Sequence, residues 1–300
     1  MGPPSVDQRL NTLNRVRAGV DLGFRLRLRP IMSDPIRPET HPGSPSLRDI
    51  LLAEFDAERT ALIEPNMVVS QRDIPRPAVM CFFSEVIEGI TRRGDARQVA
   101  ELRGAHGVHP IWEIAVRGER LAVYHPGVGA PLAAMFMEEA IGLGCAAFCA
   151  CGGAGAVQPD LALGHVVVPD SALRDEGTSF HYLPPGRSVT ADPRGVEIAV
   201  QVLEALGLPH VVGRTWTTDA PYRETRAKIA RRAADGCLTV EMEAAAFFAV
   251  ARFRNVPFAQ LLYAGDSVAG EEWDPRGWPQ ADVREPLFWA AAEIALRLSK

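Results

Sequence analysis

The sequence lacks the features that mark membrane proteins, secreted proteins and nucleic-acid-binding proteins. No apolar run in its 300 residues reaches membrane-spanning length, and no apolar segment follows the charges near the N-terminus. The formal net charge of −5 offers no general attraction for phosphate backbones or anionic lipids. The five cysteines are odd in number and show no disulfide-like spacing. We therefore expect a cytoplasmic protein whose partners include neither nucleic acid nor a membrane.

The composition suits one sizeable domain preceded by a different kind of segment. Hydrophobic residues make up 47% of the chain, which is enough for a substantial core. Residues 1–45 are rich in proline, glycine and arginine, so we expect a poorly packed N-terminal extension there. Over residues 46–300, strand-like and helix-like segments alternate, a pattern typical of an α/β domain with a parallel or mixed sheet.

The segment VEMEAAAFFAVA, residues 240–251, places acidic side chains at the start of an apolar helix. Glu241, Met242 and Glu243 precede a run with almost no polar face, which predicts a buried helix whose first turn is directed at another group. Carboxylates also suit the partial positive charge of a helix N-terminus, and that role alone would explain both glutamates. The local pattern leaves the two interpretations open.

Two other strand ends carry acidic residues. A predicted strand over residues 78–83 leads into a helix from Ser84, with Glu85 in its first turn. The strand FAQLLYAG ends at Asp266, and Gly265 beside it would permit a ligand to approach closely. Ligands of open α/β sheets collect at such strand ends.

Two glycine-rich loops are predicted to follow strands. Gly127 and Gly129 open a helix, where backbone amides could meet an anion or a sugar, although a simple tight connection is the commoner reason for such a loop. The strand over residues 146–151 is predicted to end in a second loop that contains Gly153. Cysteines in this strand lack a fourth soft ligand nearby, so we interpret them as small buried side chains and expect no metal and no cofactor.

In this order, five segments resemble the superfamily of nucleoside phosphorylases and nucleosidases, which cleave the bond between a base and ribose. The segments are GVGAPLAA, CGGAGAVQPDLALGHVVVPDSALRDEGTSFHYLPP, TTDAPYRE, VEMEAAAFF and the strand that ends in Gly265 and Asp266. The resemblance covers residues 78–300. It implies an α/β fold made of a single three-layer α/β/α domain around a mixed, partly barrel-like sheet, and it implies a homo-oligomer.

The resemblance also implies roles for the acidic residues. Met242 and Glu243 would bind the ribose, with Glu243 accepting hydrogen bonds from the sugar hydroxyls and Glu241 supporting both. Asp266 matches the general acid that donates a proton or a hydrogen bond to a leaving purine.

The base pocket is implied less directly. Tyr182 falls where an aromatic ring stacks on the base, Phe180 belongs to the same aromatic group, and the loop of Tyr222 borders the pocket. The stretch RDEGTSFHYLPP resembles the uridine-phosphorylase-like branch, whereas Asp266 favours purines. We expect a purine.

The acceptor of the sugar depends on where the sequence departs from the family pattern. Phosphorylases of this superfamily hold phosphate with two arginines, and neither is present: the first strand has no Gly-Asp-Pro-x-Arg loop, and the second position is Ala150. Burying a phosphate dianion without countercharges is costly. Glu85 instead falls where the hydrolytic members carry a glutamate that contacts the attacking water, although a helix-start carboxylate is an equal explanation. Backbone amides of Gly129 and Gly153 would line the nucleophile pocket.

The sequence therefore predicts an enzyme that releases a free base, most simply a nucleosidase that acts on a purine nucleoside with water. A phosphate-dependent nucleoside phosphorylase, for purines or for uridine, is the first alternative, with phosphate as a second small-molecule partner. In that case His125, Arg174 and Arg223 would be the first anion ligands to test. A nucleoside-binding module without turnover is the second alternative.

Overall fold

The structure, a computed structural model, describes residues 50–94, 96–105, 107–277 and 282–300. The chain divides into two units, residues 1–45 and 46–300. The predicted N-terminal extension lies outside the described residues, all of which belong to the second unit. Among the described residues, no helix has both the length and the apolar character needed to cross a bilayer.

Ten strands form one mixed sheet that closes on itself over part of its width. The order is β10-β6-β8-β9-β5-β1-β4-β3-β2, with β7 paired to β6. An additional parallel pairing of β10 with β5 joins the ends of the first five strands into a barrel. The strands are β1 Pro77–Cys81, β2 Arg97–Gly104, β3 Gly107–Val116, β4 Glu119–Tyr124, β5 Ala147–Ala156, β6 Val166–Asp175, β7 Ser188–Thr190, β8 His210–Thr218, β9 Cys237–Glu241 and β10 Phe258–Ser267.

Helices cover both faces of this sheet, which gives the three predicted layers. The α-helices of the described residues are α1 Pro65–Val68, α2 Ser84–Arg92, α3 Ala130–Leu143, α4 Pro193–Ala205, α5 Arg226–Ala234, α6 Ala244–Arg254 and α7 Arg284–Leu298. On one face, buried side chains of α2, α4 and α7 pack on β1, β5 and β10. On the other face, α3 and α6 pack on the same central strands. The predicted α/β fold with a mixed, partly barrel-like sheet is confirmed.

Several element predictions agree with the structure because their local signals are strong. The helix after Glu243 is α6, and all of its first eight residues are buried, as its apolar sequence requires. The glycine loop before Pro131 opens α3. Strands β3 and β4 form a hairpin, and its turn holds Arg117 and Gly118 at φ of 50° and 81°.

The second predicted glycine loop is wrong, because these glycines belong to a strand. β5 continues to Ala156 and pairs through Gly152 and Gly153 with β10. Because glycine has no side chain, neighbouring residues pack closely against this part of the strand. A Cβ on Gly153 would lie 3.1 Å from Cε1 of Tyr263, and one on Gly155 would lie 3.0 Å from Cγ1 of Val240. The glycines thus make room beside a central strand.

Candidate active site

A cavity of about 980 Å³ lies where the ends of β1, β9 and β10 meet the glycines of β5 and the loop after β8. The cavity brings together six of the residues predicted from the sequence. They are Gly153, Tyr222, Glu241, Met242, Glu243 and Asp266. Residues more than a hundred positions apart in the chain therefore line one space, of a size typical for small-molecule sites.

Glu241 is the structural centre of the acidic segment. Its carboxylate accepts hydrogen bonds from the Thr217 hydroxyl at 2.6 Å and from the backbone N–H groups of Glu243 and Ala244 at 2.7 and 2.6 Å. The Thr217 hydroxyl in turn accepts the N–H of Ala245 at 2.9 Å. Three of the otherwise unpaired N–H groups at the start of α6 are satisfied in this way. Glu241 and Thr217 thereby fix the backbone that carries Glu243.

Glu243 immediately precedes α6, and its side chain is held at the cavity wall. Its Oε1 accepts the backbone N–H of Gly129 at 2.5 Å. Gly129 has a φ of 94°, a conformation that side-chain-bearing residues rarely adopt, and this directs its amide at the carboxylate. We predicted that this amide would line the nucleophile pocket. In the structure this amide donates to Glu243 instead, and Gly129 is not among the residues that line the cavity.

Burial sets the ionisation of the two glutamates. It raises the pKa of Glu243 above the usual carboxyl range, and the negative charge of neighbouring Glu241 adds to this effect. Burial also raises the pKa of Glu241, against hydrogen bonds from Thr217 and from two backbone amides that favour its charged form. Two carboxyl groups at one helix start therefore disfavour each other's negative charge, as coupled sites do.

Asp266 lies near the end of β10, at a second wall of the cavity. An ideal Cβ on Gly155 would lie 3.6 Å from Oδ1 of Asp266, so the glycine leaves the carboxylate space. The indole N–H of Trp273 donates to Oδ2 at 2.7 Å. Trp273 also lines the cavity, so this hydrogen bond positions the carboxylate from within the site.

Glu224 is a second carboxyl group at this wall, and our sequence reasoning missed it. It lines the cavity, burial raises its pKa to about 7, and the negative charge of Asp266 contributes to the same shift. The signal was available, because Glu224 belongs to the loop TTDAPYRET in which we singled out Tyr222. Tyr222 itself is 99% exposed, which puts it at the mouth of the cavity.

Tyr182 and Phe180 are not brought to the cavity. The Tyr182 ring contacts Phe253 edge-on, with centroids 5.5 Å apart, and is packed against the core on the α3 and α6 face. Phe180 lies under the guanidinium of Arg174, 4.1 Å from its ring centroid. Neither aromatic ring lines the space between Glu243 and Asp266. Within this chain the predicted stacking role therefore lacks a geometric basis.

The three anion ligands suggested by the sequence also lie elsewhere. Arg174 is buried and donates to Ser179 Oγ at 2.8 Å and to the carbonyl of Pro184 at 2.7 Å. His125 accepts the N–H of Gly127 at 3.0 Å through Nδ1. Neither residue, nor Arg223, is among those that line the cavity.

Glu85 lies outside the cavity and forms an ion pair with Arg284 at 2.5 Å. The Glu85 side chain is 56% exposed, whereas Arg284 is 12% exposed and lines the cavity. The cavity therefore has a guanidinium at its wall, although both arginines of the family pattern are missing. Arg284 comes from the start of α7, far in sequence from any motif, and it was not considered.

Gln260 is a further lining residue that the sequence did not reveal. It pairs in register with Ala150, the position where phosphorylases carry an arginine. Its side chain is buried, and Oε1 has no hydrogen-bond partner among the described residues. A buried amide without a partner at a cavity wall is a group that a ligand can satisfy.

All five cysteines lie among the described residues. Cys81, Cys145, Cys149, Cys151 and Cys237 are free and buried. Within the described part of the chain, no group of three or more histidine, cysteine or acidic residues could hold a metal ion. Burial raises the pKa of the Cys145 thiol to about 12, which makes it a poor ligand and nucleophile.

The fold and the cavity together define an α/β enzyme with an acidic small-molecule site at the strand ends. Comparison with known proteins gives its family. The profile of the Phosphorylase superfamily matches residues 77–294. The chain therefore belongs to this superfamily of nucleoside phosphorylases, as its motifs predicted.

Individual relatives differ in the nucleoside that their names specify. A guanosine phosphorylase of Halorubrum lacusprofundi is 28% identical over 210 residues, which are 70% of this chain and 86% of the relative. A uridine phosphorylase of Treponema pallidum is 33% identical over 153 residues, 47% of this chain and 59% of the relative. A DeoD-type purine nucleoside phosphorylase of Caldanaerobacter subterraneus subsp. tengcongensis is 27% identical over 213 residues, 68% of this chain and 85% of the relative.

The fold also matches a solved structure. The crystal structure of uridine phosphorylase from Vibrio fischeri ES114 superposes with a TM-score of 0.66 at 21% identity, and the match covers 78% of this chain and 97% of that chain. At this identity the similarity establishes the fold and not the substrate.

Proposed function

We propose that the protein cleaves the N-glycosidic bond of a purine nucleoside and releases the free base. The observation that carries this proposal is that Glu243 and Asp266 line one cavity, which also contains Met242. The first carboxylate suits sugar hydroxyls and the second suits a leaving base. Both are needed for a reaction that builds positive charge on the ribose ring and negative charge on the base.

The sugar would bind at the start of α6. Glu243 presents a carboxylate whose position is set by the Gly129 amide and by the Glu241 network. A carboxylate accepts hydrogen bonds from two neighbouring hydroxyls, and Met242 supplies apolar contact with the ribose. A charged Glu243 would also stabilise the positive charge that develops on the ring as the base leaves.

The purine would bind between Asp266 and Glu224. Asp266 is placed to give a proton or hydrogen bond to N7, while Glu224 offers a second carboxyl group to the donors of the base. Because its pKa is about 7, Glu224 can exist in either form near neutral pH. Relatives named for guanosine and purine nucleosides support this choice. Uridine is the second candidate, which the relative from Treponema pallidum favours.

For the acceptor we now favour phosphate over the water that the sequence suggested. The supporting observations are Arg284 at the cavity wall and the phosphorylase names of the relatives. Water remains the second candidate, because Ala150 replaces the family's arginine and Arg284 already pairs with Glu85. Assembly into a homo-oligomer stays a prediction.

A panel of purine and pyrimidine nucleosides, each incubated with and without phosphate, tests the function. We expect base release from guanosine or a related purine nucleoside, with ribose 1-phosphate as the sugar product identified by mass. The Asp266→Asn variant is the control for contaminating activity. Thermal stabilisation by nucleosides without any base release would support the binding-module alternative and contradict the proposal.

A further inference from the structure

Arg284 is a cation at one wall of the cavity, with a side chain 12% exposed. Its guanidinium carbon lies 5.1 Å from the ring centroid of Phe83 and 5.7 Å from that of Tyr263, so the group lies against two adjacent aromatic rings. Its Nε donates to the Tyr263 hydroxyl at 3.0 Å, and its Nη1 donates to Oε1 of Glu85 at 2.5 Å. Phe83 lines the cavity beside it.

Arg284 approaches β5 through Tyr263, at a different point along the strand from the proposed base site. Arg284 contacts Tyr263, and the Tyr263 ring lies against Gly153. Asp266 lies against Gly155. Residues two apart along a strand are about 6.6 to 6.8 Å apart. A nucleoside that lies along this part of β5 would have its base at Asp266 and the opposite side of its sugar towards Arg284.

The charges of the cavity single out the same residue. Its other lining arginine, Arg226, forms an ion pair with Glu271 in the loop after β10. Among the described residues, the remaining charged side chains that line the cavity are carboxyls. They are Glu224, Glu241, Glu243, Asp266, Glu271 and Glu272. An anion would therefore be repelled from most of the cavity and attracted to the wall that Arg284 forms.

Arg284 and its ion-pair partner Glu85 differ in burial. Glu85 is largely in water, so its ion pair is of the weak, exchangeable kind, whereas Arg284 is nearly buried. A phosphate could form two parallel hydrogen bonds with a guanidinium, which a single exposed carboxylate contact does not match.

We propose that Arg284 binds the phosphate acceptor, and that Glu85 holds its guanidinium in place until phosphate replaces the Glu85 carboxylate. This proposal rests on the proposed function. In the reaction a phosphate oxygen bonds to C1′ as the bond from C1′ to the base nitrogen breaks. The bond electrons leave with the base, which receives a proton held between Asp266 and Glu224, and the products are ribose 1-phosphate and the free base. Arg284 thus does from α7 what the absent family arginines do from other positions.

The test compares the dependence of base release on phosphate concentration in four variants of the full chain. Arg284→Gln should raise the KM for phosphate about tenfold to a hundredfold and leave the KM for the nucleoside within about twofold, because one charge-assisted bidentate contact is lost. Arg284→Lys, which keeps the charge without the planar fork, should fall between this variant and the wild type. Glu85→Gln should lower the KM for phosphate, because it removes the competing carboxylate.

Arg93→Gln is the matched control. Arg93 and Glu285 form an exposed ion pair at 2.9 Å that links the same two helices, α2 and α7, without lining the cavity. If loss of a helix contact were the cause, Arg93→Gln would reproduce the effect of Arg284→Gln. We expect it to leave both KM values unchanged.

A second readout does not need turnover. Phosphate alone should raise the melting temperature of the wild type and of Glu85→Gln, and should not raise that of Arg284→Gln. An equal shift in Arg284→Gln, or an unchanged phosphate KM, would overturn the role of Arg284. A Glu85→Gln variant with a raised phosphate KM would overturn the exchange and make Glu85 a positioning residue. Wild type that releases no base from any nucleoside would instead reject the proposed function, which the melting experiment does not depend on.

Discussion

The hydroxyl of Thr217 provides a sharp test of how the acidic segment is held. Thr217 is fully buried, and its hydroxyl joins Glu241 at 2.6 Å to the N–H of Ala245 at 2.9 Å. Thr217→Val removes this hydroxyl with almost no change in shape. One hydrogen bond to a charged group is lost and one buried N–H is left unpaired, which together cost about 2 to 4 kcal/mol.

The free energy of unfolding should be measured by urea denaturation at one fixed protein concentration. The expected loss corresponds to a decrease of about 30- to 1000-fold in the folding equilibrium constant. The KM for the nucleoside should rise as well, because the backbone that carries Glu243 loses part of its support. Thr217→Ser is the control, since it keeps the hydroxyl and loses only a methyl group, at about 1 kcal/mol. Equal destabilisation by the two substitutions would refute the role of the hydroxyl.

Other predictions concern the acids and the tryptophan of the cavity. Asp266→Asn should lower turnover of a purine nucleoside at least about a hundredfold with an unchanged melting temperature, and near-normal turnover would exclude Asp266 as the general acid. Trp273→Phe removes the indole N–H that positions Asp266, so kcat/KM should fall about three- to tenfold, and no change would show that the hydrogen bond is dispensable. The prediction for Glu224 concerns how the stability of the folded protein depends on pH. Its pKa is raised from 4.5 to about 7 in the folded protein, so the folded state keeps a proton that the unfolded chain loses, and stability falls as pH rises through this window. Denaturation of the wild type and of Glu224→Gln across that range should therefore show the wild type losing about 1 kcal/mol relative to the variant, after allowance for solvent screening, and a constant difference would contradict the raised pKa.

The sequence predicted the parts of the fold and site that depend on neighbouring residues. The apolar run after Glu243 has one reasonable environment, a buried helix, so its acidic first turn had to face a cavity or cap the helix. In the structure it does both, because Glu241 caps the helix and Glu243 lines the cavity. Asp266 could be identified for a similar reason, since it ends an apolar strand beside a glycine.

Features that depend on distant pairs could not be predicted in this way. Glu85 and Arg284 are 199 positions apart, and nothing in the helix that begins at Arg284 indicates that its first side chain reaches a cavity. The glycines of β5 were assigned to a loop, because only the packing of Tyr263 and Val240 explains glycine in a central strand. Tyr182 was expected to stack on the nucleoside base. Its ring instead packs edge-on against Phe253 of α6.

These pairs change the mechanistic interpretation more than the fold. Considered alone, Glu85 indicated a water nucleophile. In the structure it forms an ion pair with Arg284, whose side chain is 12% exposed. The absence of two family arginines likewise favoured water over phosphate, and Arg284 was not considered in that preference. Charges at an active site must therefore be counted in the folded chain.

A crystal structure with a purine nucleoside bound tests the central claim most directly. We expect a carboxyl oxygen of Asp266 within hydrogen-bond reach of the purine N7, about 2.6 to 3.2 Å, and Glu243 in contact with the ribose hydroxyls at similar distances. A nucleoside bound with its ribose away from Glu243, or with its base away from Asp266, would contradict it.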